Sequence, residues 1–212
     1  MSGLKLFGSF AKSGALDVLE NKKLYLRAFL ALILITNLET LGPFFGIIPE
    51  SNAFIFLMIA ATLGTFIVLS QIVLIQKKIH GGVGELKYFV PTFLLYNLYY
   101  SFLFLLGLVF LILPGFYVLI FFSMAPFMAV LDDECHESFF KRSKLLVKKN
   151  VSLVAWASII NLILEFSSLI ISPIQNMNIK GLANFCLSIP NAFVTIVMTI
   201  ATVKIYYYLK RS

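Results

Sequence analysis

The sequence predicts an all-α, polytopic transmembrane bundle of six spans, with amphipathic segments at the cytoplasmic surface. Three observations predict it. The 212-residue chain is 60% hydrophobic and only 13% charged, and its mean hydropathy is +0.94. A soluble domain carries about 45–50% apolar and about 25% charged residues, and a soluble fold of this length could not bury so much apolar surface. Next, six stretches approach the roughly 20 apolar residues that cross the hydrocarbon of a bilayer. Finally, the basic residues fall almost entirely in alternate connections, the pattern expected when those connections share the cytoplasmic side.

Residues 1–23 form the first cytoplasmic segment. Leu4, Phe7, Ala11, Ala15 and Val18 are spaced for one helical face, with Lys5, Lys12 and Asp17 off it. Gly3, Gly8 and Gly14 weaken that helix. The first span, 24–45, has no small-residue cleavage site behind it and reads as a retained span, not a signal peptide. Spans at 53–75 and 89–113 follow. The third joins the fourth, 116–131, at Leu113-Pro114-Gly115, where Pro and Gly permit a sharp turn. Spans at 151–174 and 185–208 complete the set.

With the N-terminus inside, sixteen of the 17 basic residues lie on the cytoplasmic side and only Lys180 lies outside. An odd number of spans would split this set. No remaining stretch is long enough for a separate soluble domain, so residues 1–212 form one membrane domain. The net charge of +7 and pI near 9.4 therefore follow from topology and give no reason to expect nucleic acid. Cys135 and Cys186 fall on opposite sides, too far apart for a disulfide, which needs Cα atoms within about 7 Å.

The fourth-to-fifth connection, 133–150, is expected to hold a cytoplasmic amphipathic helix. From Phe139 to Asn150, Phe139, Phe140, Ser143, Leu146 and Val147 share one face at helical spacing, and Lys141, Arg142, Lys144, Lys148 and Lys149 share the other. Such a helix lies in the inner interface, where each base near anionic headgroups is worth about 1 kcal/mol. It serves either as a topology-setting connector or as a binding face for anionic lipid or a membrane partner.

Two ionisable residues fall inside spans, Glu39 and Glu165, each roughly 21–23 Å from the cytoplasmic end at 1.5 Å per residue. Glu165 continues a stripe of Ser158, Asn161, Ser168 and Ser172. The last span has its own stripe, Ser188, Asn191, Thr195, Thr199 and Thr202, which Asn97 and Gln71 could join. Such residues either tie helices together, at roughly 0.6 kcal/mol per hydrogen bond, or line a solute path. In the second case Glu165 carries the path, with Asn161 and Glu39 as helpers.

No catalytic constellation emerges. His80-Gly81-Gly82-Val83-Gly84 lacks the lysine and spacing of a phosphate-binding loop and reads as a flexible turn. Cys135-His136, beside Asp132, Asp133 and Glu134, lacks paired metal-ligand spacing. No metal, cofactor or nucleophile–base pair is expected.

One stretch, LPGFYVLIFFSMAPFMAVLDDECHESFFKRSKLLVKKN (113–150), resembles the YciC family of bacterial inner-membrane proteins. Pro114, Gly115, Ala125, Pro126, Asp132, Lys141, Ser143, Leu146 and Asn150 carry the resemblance. It extends through both final spans, about half the chain, while the first two spans match in pattern alone. The family looks related to the membrane domain beside some glycerophosphodiester phosphodiesterases, a fold-level analogy, and these 212 residues leave no room for that catalytic domain. The resemblance implies a six-span inner-membrane protein with cytoplasmic ends, and brings no catalytic residues. The expected function is engagement of membrane lipids, anionic ones among them, or of a membrane partner, without catalysis. A small-solute transporter with a polar core around Glu165 is the alternative, and a lipid-modifying enzyme a lesser one.

Overall fold

The computed structural model describes residues 2–44, 51–82, 86–110, 112–132, 138–166 and 177–212. Every regular element among them is helical: α1 (Gly3–Glu20), α2 (Lys22–Phe44), α3 (Ser51–Ile79), α4 (Leu86–Phe110), α5 (Ile112–Phe121), α6 (Ala125–Leu131), α7 (Phe139–Val147), α8 (Val151–Phe166) and α9 (Met177–Arg211). Four runs among the described residues are long and apolar enough to cross a membrane: Ile59–Ile79, Tyr88–Phe110, Ile112–Leu131 and Ala183–Arg211. A fifth is added if α7 and α8, which meet at 113°, count as one bent span. The expected first and fifth spans run on into residues outside the described set.

The surface is inverted relative to a soluble fold. Only 11% of the apolar window of α4 is buried, and Leu95, Phe102, Leu105, Val109 and Phe110 stand outward. An apolar face of that extent would drive association in water, whereas hydrocarbon solvates it and the helix satisfies its own backbone. These features fit a multi-pass membrane protein.

Helix α9 is the central column. It packs against α1, α2, α3, α6, α7 and α8, and Ala192, Ile196, Ile200, Ala201, Val203, Ile205 and Leu209 are buried along it. Against its last turns lies α1, which ends at Asn21, whose backbone N–H closes on the Asp17 carbonyl at 3.0 Å. The buried residues of α1 are Phe7, Gly14 and Val18, while Leu4 from the expected face is 47% exposed. The glycine that weakens the helix in isolation is what lets it dock. A Cβ on Gly14 would stand 2.9 Å from the Val197 carbonyl oxygen.

The third-to-fourth hairpin does not turn at Leu113-Pro114-Gly115 as expected. Leu113, Pro114 and Gly115 are already within α5. Proline is tolerated in a first helical turn, where its N–H would have no partner. Gly115 instead serves contact, because a Cβ on Gly107 would lie 2.7 Å from the Gly115 Cα. The expected fourth span is also two helices, broken at Phe122–Met124. Pro126 explains the break, since its ring excludes a continuous helix through the carbonyl four residues back. Ala125-Pro126 thus opens α6.

Two further connections are capped. Gly81 has φ +83°, its N–H bonds the Lys78 carbonyl at 3.0 Å, and the Gly82 N–H bonds the Lys77 carbonyl at 2.9 Å. This is a Schellman cap, so the expected flexible turn is, over its first half, a fixed end of α3. Residues 83 and 84 lie outside the described residues. At the α7–α8 corner, Asn150 Oδ1 accepts the Leu153 N–H at 3.2 Å and caps α8.

Candidate functional site

The end of α6 supplies the centre of the site. Asp132 caps that helix, its N–H bonded to the Met128 carbonyl, and its side chain is only 4% exposed. Burial of a carboxylate is costly unless it is paired and hydrogen-bonded. Here Oδ1 accepts from the Tyr206 hydroxyl at 2.6 Å and from Lys210 Nζ at 2.6 Å, both on α9. Arg142 Nη2 of α7 lies 3.2 Å from Oδ2. That is close enough for an ion pair, but Oδ2 makes no hydrogen bond among the described residues.

Helix α7 is held by its own polar residues as well. Ser143, buried, donates to the Phe121 carbonyl at 2.8 Å, a group left open where α5 ends. Lys149 Nζ donates to the Leu209 carbonyl at 2.8 Å, placing a cation at the negative end of α9. Phe139 and Val147 are buried beside Ser143, whereas Lys141 and Lys148 are exposed. Lys144 lies over the Tyr117 ring at 5.4 Å.

Between α6, α7 and the last turn of α9 is a cleft of about 260 Å³. Asp132, Arg142, Lys149 and Lys210 line it with Tyr206, and Met128, Leu145 and Leu146 form an apolar wall. Among the described residues that line it, one carboxylate faces three cations. The cleft sits where Ile112–Leu131 and Ala183–Arg211 end, the level at which a spanning helix would leave hydrocarbon.

The other basic segments gather at the same end. Lys204 pairs with Asp17 at 2.9 Å and donates to Ser13 Oγ at 2.6 Å. Gln76 Nε2 donates to the Tyr25 hydroxyl at 2.6 Å. Lys77, 1% exposed, donates to the Val130 carbonyl at 2.8 Å and covers the Phe89 ring at 4.4 Å. His80 stacks on Tyr207 at 4.4 Å. Contacts of Lys77, Lys149, Lys204 and Lys210 thus bring α1, α3, α6 and α9 together at one end of the bundle.

Of the expected lipid-contact residues, Arg142 and Lys149 come together in the cleft, and Lys141, Lys144 and Lys148 do not line it. The intramembrane set is only partly brought together. The side chains of Glu39 and Glu165 lie outside the described residues. Asn161 and Asn191 are half-buried, and Asn97 donates to the Phe93 carbonyl of its own helix at 3.0 Å. Ser158, Ser188, Thr199 and Thr202 are buried. Thr199 and Thr202 donate to carbonyls four residues back at 2.7 and 2.9 Å, the local bonding common to hydroxyls in helices. Asn37, which the sequence reading missed, bridges α2 to α9 through Ser188 Oγ at 2.9 Å. Its signal was a lone amide in an apolar run, two residues before the more conspicuous Glu39. Among the described residues no three His, Cys, Asp or Glu side chains gather as metal ligands.

Compared with known proteins, the chain matches no family model, no curated protein and no solved structure.

Proposed function

We propose that this protein is a six-span protein of the inner (cytoplasmic) membrane, with both ends cytoplasmic, that engages membrane lipid at its basic end without catalysis. One observation carries the reading: cations from α7 and α9 converge on an open cleft at the level where two apolar helices end. Long apolar faces favour the bilayer. A one-ended cluster of bases favours the cytoplasmic leaflet, where anionic headgroups concentrate and each base contributes about 1 kcal/mol. The resemblance of residues 113–150 to the YciC family supports the same location and span number.

A transport path around Glu165 draws less support. Of its own stripe, Ser158 is buried and Asn161 half-buried, and the stripe of the last span is taken up by hydroxyls bonded to their own helix and by the Asn37–Ser188 bridge, which favours helix–helix packing.

Native mass spectrometry of the protein released from its own membrane tests the reading. Wild type is compared with the combined Lys141, Arg142, Lys144, Lys148 and Lys149→Gln variant and with Glu165→Gln. A lipid retained by wild type and Glu165→Gln and lost from the five-base variant is the expected result. Absence of any retained lipid, with all three proteins alike, would refute it.

A further inference from the structure

We propose that the α5 side of the α4–α5 hairpin, where α7 crosses it, thins the bilayer and draws inner-leaflet headgroups about half-way into the hydrocarbon. The inference rests on the membrane reading above and names what the protein does to the lipid it engages.

The register of the hairpin sets the scale. Phe93 meets Phe127 with ring centroids 6.0 Å apart, the Tyr100 hydroxyl donates to the Leu119 carbonyl at 3.4 Å, and a Cβ on Gly107 would stand 2.7 Å from the Gly115 Cα. Helix α4 is therefore the antiparallel neighbour of α5 and α6 from base to tip. Helix α7 does not cross at the base. Phe139 and Phe140 pack on Tyr96 at 4.9 and 5.5 Å. Phe140 also packs on Tyr99 at 5.2 Å and on Phe122 at 5.3 Å, and Ser143 reaches the Phe121 carbonyl. These contacts fall near the middle of the apolar runs Tyr88–Phe110 and Ile112–Leu131.

Charge is carried to the same level. Lys144 Nζ stands over the Tyr117 ring at 5.4 Å, and Lys148, four residues on and so on the same face, is exposed. The opposite face of α7, with Arg142 and Lys149, lines the cleft at the helix ends, so α7 marks a step. Tyr117 lies five residues into α5, about 8 Å from its outer end at 1.5 Å per residue. On α4, Tyr99 is eleven residues from Phe110, about 16 Å. Hydrocarbon is about 30 Å thick. A bilayer of full thickness on this side would hold Lys144 among acyl chains, where a lysine costs at least about 2.5 kcal/mol. Bilayers answer such a mismatch by thinning locally and admitting water.

The deformation is one-sided. Tyr88, Leu95, Phe102 and Val109 of α4, seven residues apart, are all exposed and form a stripe about 32 Å long. That stripe matches a bilayer of ordinary thickness, while the α5 side offers about half of it.

Two measurements on the full chain test the proposal. In a chain whose Cys135 and Cys186 are replaced by Ser, one nitroxide is placed at Lys144→Cys or at Leu113→Cys, near the outer end of α5. Power saturation against oxygen and an aqueous nickel chelate, in phosphatidylcholine–phosphatidylglycerol vesicles, reads the depth of each. The Lys144→Cys label should be open to the chelate, the Leu113→Cys label should lie at the outer headgroups, and their depths should differ by no more than about 16 Å. A Lys144→Cys label reached by oxygen alone, or a separation near 30 Å, would overturn the thinning. A Leu113→Cys label at the bilayer centre would overturn it too, since the hairpin would then enter one leaflet without crossing. The second measurement compares thermal unfolding in nanodiscs of 14-carbon and 22-carbon monounsaturated phosphatidylcholine. Wild type should unfold at higher temperature in the shorter lipid, and Lys144→Leu with Lys148→Leu should lose that preference. The same preference in both proteins would overturn the role of the lysines. If thinning failed while the five-base variant alone still lost its lipid, lipid engagement would stand without it.

Discussion

Replacing Asp132 should destabilise the bundle in a way that depends on what replaces it. The carboxylate is 4% exposed, and its three partners have different surroundings. Lys210, at 53% exposure, is largely water-screened, so its pair contributes at most about 1 kcal/mol. Arg142 is 31% exposed, at 3.2 Å and off hydrogen-bond alignment, and adds a similar or smaller amount. The Tyr206 hydroxyl is buried, and its hydrogen bond to a charged acceptor is worth about 1.5–3 kcal/mol. Asp132→Asn keeps an acceptor for Tyr206 and should cost about 2 kcal/mol. Asp132→Ala leaves that hydroxyl buried and unpaired, and should cost about 3–5 kcal/mol. Tyr206→Phe should cost about 1.5 kcal/mol in wild type and about 1 kcal/mol less in the Asp132→Ala background, since the partner has already gone. The assay is reversible unfolding by SDS titration in mixed micelles, followed by far-UV circular dichroism. An Asp132→Ala protein within about 0.5 kcal/mol of wild type, or strict additivity with Tyr206→Phe, would refute the reasoning.

Further predictions use the same titration. Gly14→Ala should destabilise by about 1–3 kcal/mol, because its Cβ meets the Val197 carbonyl. Gly8→Ala, with nothing within 4 Å of its Cβ, should stabilise by about 0.5–1 kcal/mol through helix propensity. A matching sign for both would show that α1 does not dock on α9 as described. Gly81→Ala should cost about 1 kcal/mol, since φ +83° strains an L-residue, and a neutral result would count against the Schellman cap. Ser188→Ala should cost about 0.6 kcal/mol by removing the α9 acceptor of Asn37, whose Nδ2 also donates to the Ile33 carbonyl of its own helix. A loss several times larger would point to a polar network beyond that one bridge.

The sequence displayed what depends on composition and local spacing. Runs of apolar residues marked the helices now seen as α3, α4 and α9. The buried residues of α7, Phe139, Ser143 and Val147, lie on the face that helical spacing identified. What stayed hidden depends on partners distant in sequence. Gly14 looked like a weakness, because its value lies in a backbone carbonyl of α9. Gly81 and Gly82 looked like a loose turn, because a cap is recognised by φ and hydrogen bonds. Asp132 was visible only as a motif position, since the tyrosine and lysine that hold it come 74 and 78 residues later. The break before Pro126 was legible in principle, because a proline whose preceding turn must open carries its own signal.

The proposal that the basic segments gather on the cytoplasmic face is tested most directly by sided labelling. Ser2→Cys and Ser212→Cys are placed singly in a chain whose Cys135 and Cys186 are replaced by Ser, and a membrane-impermeant maleimide is added to right-side-out or inverted vesicles. Both positions should react only in inverted vesicles, because α1 is tied to α9 at Lys204 and both chain ends adjoin the basic end. Labelling from the outer side at both positions would reverse the orientation. Labelling of the two positions from opposite sides would contradict the one-ended basic cluster itself.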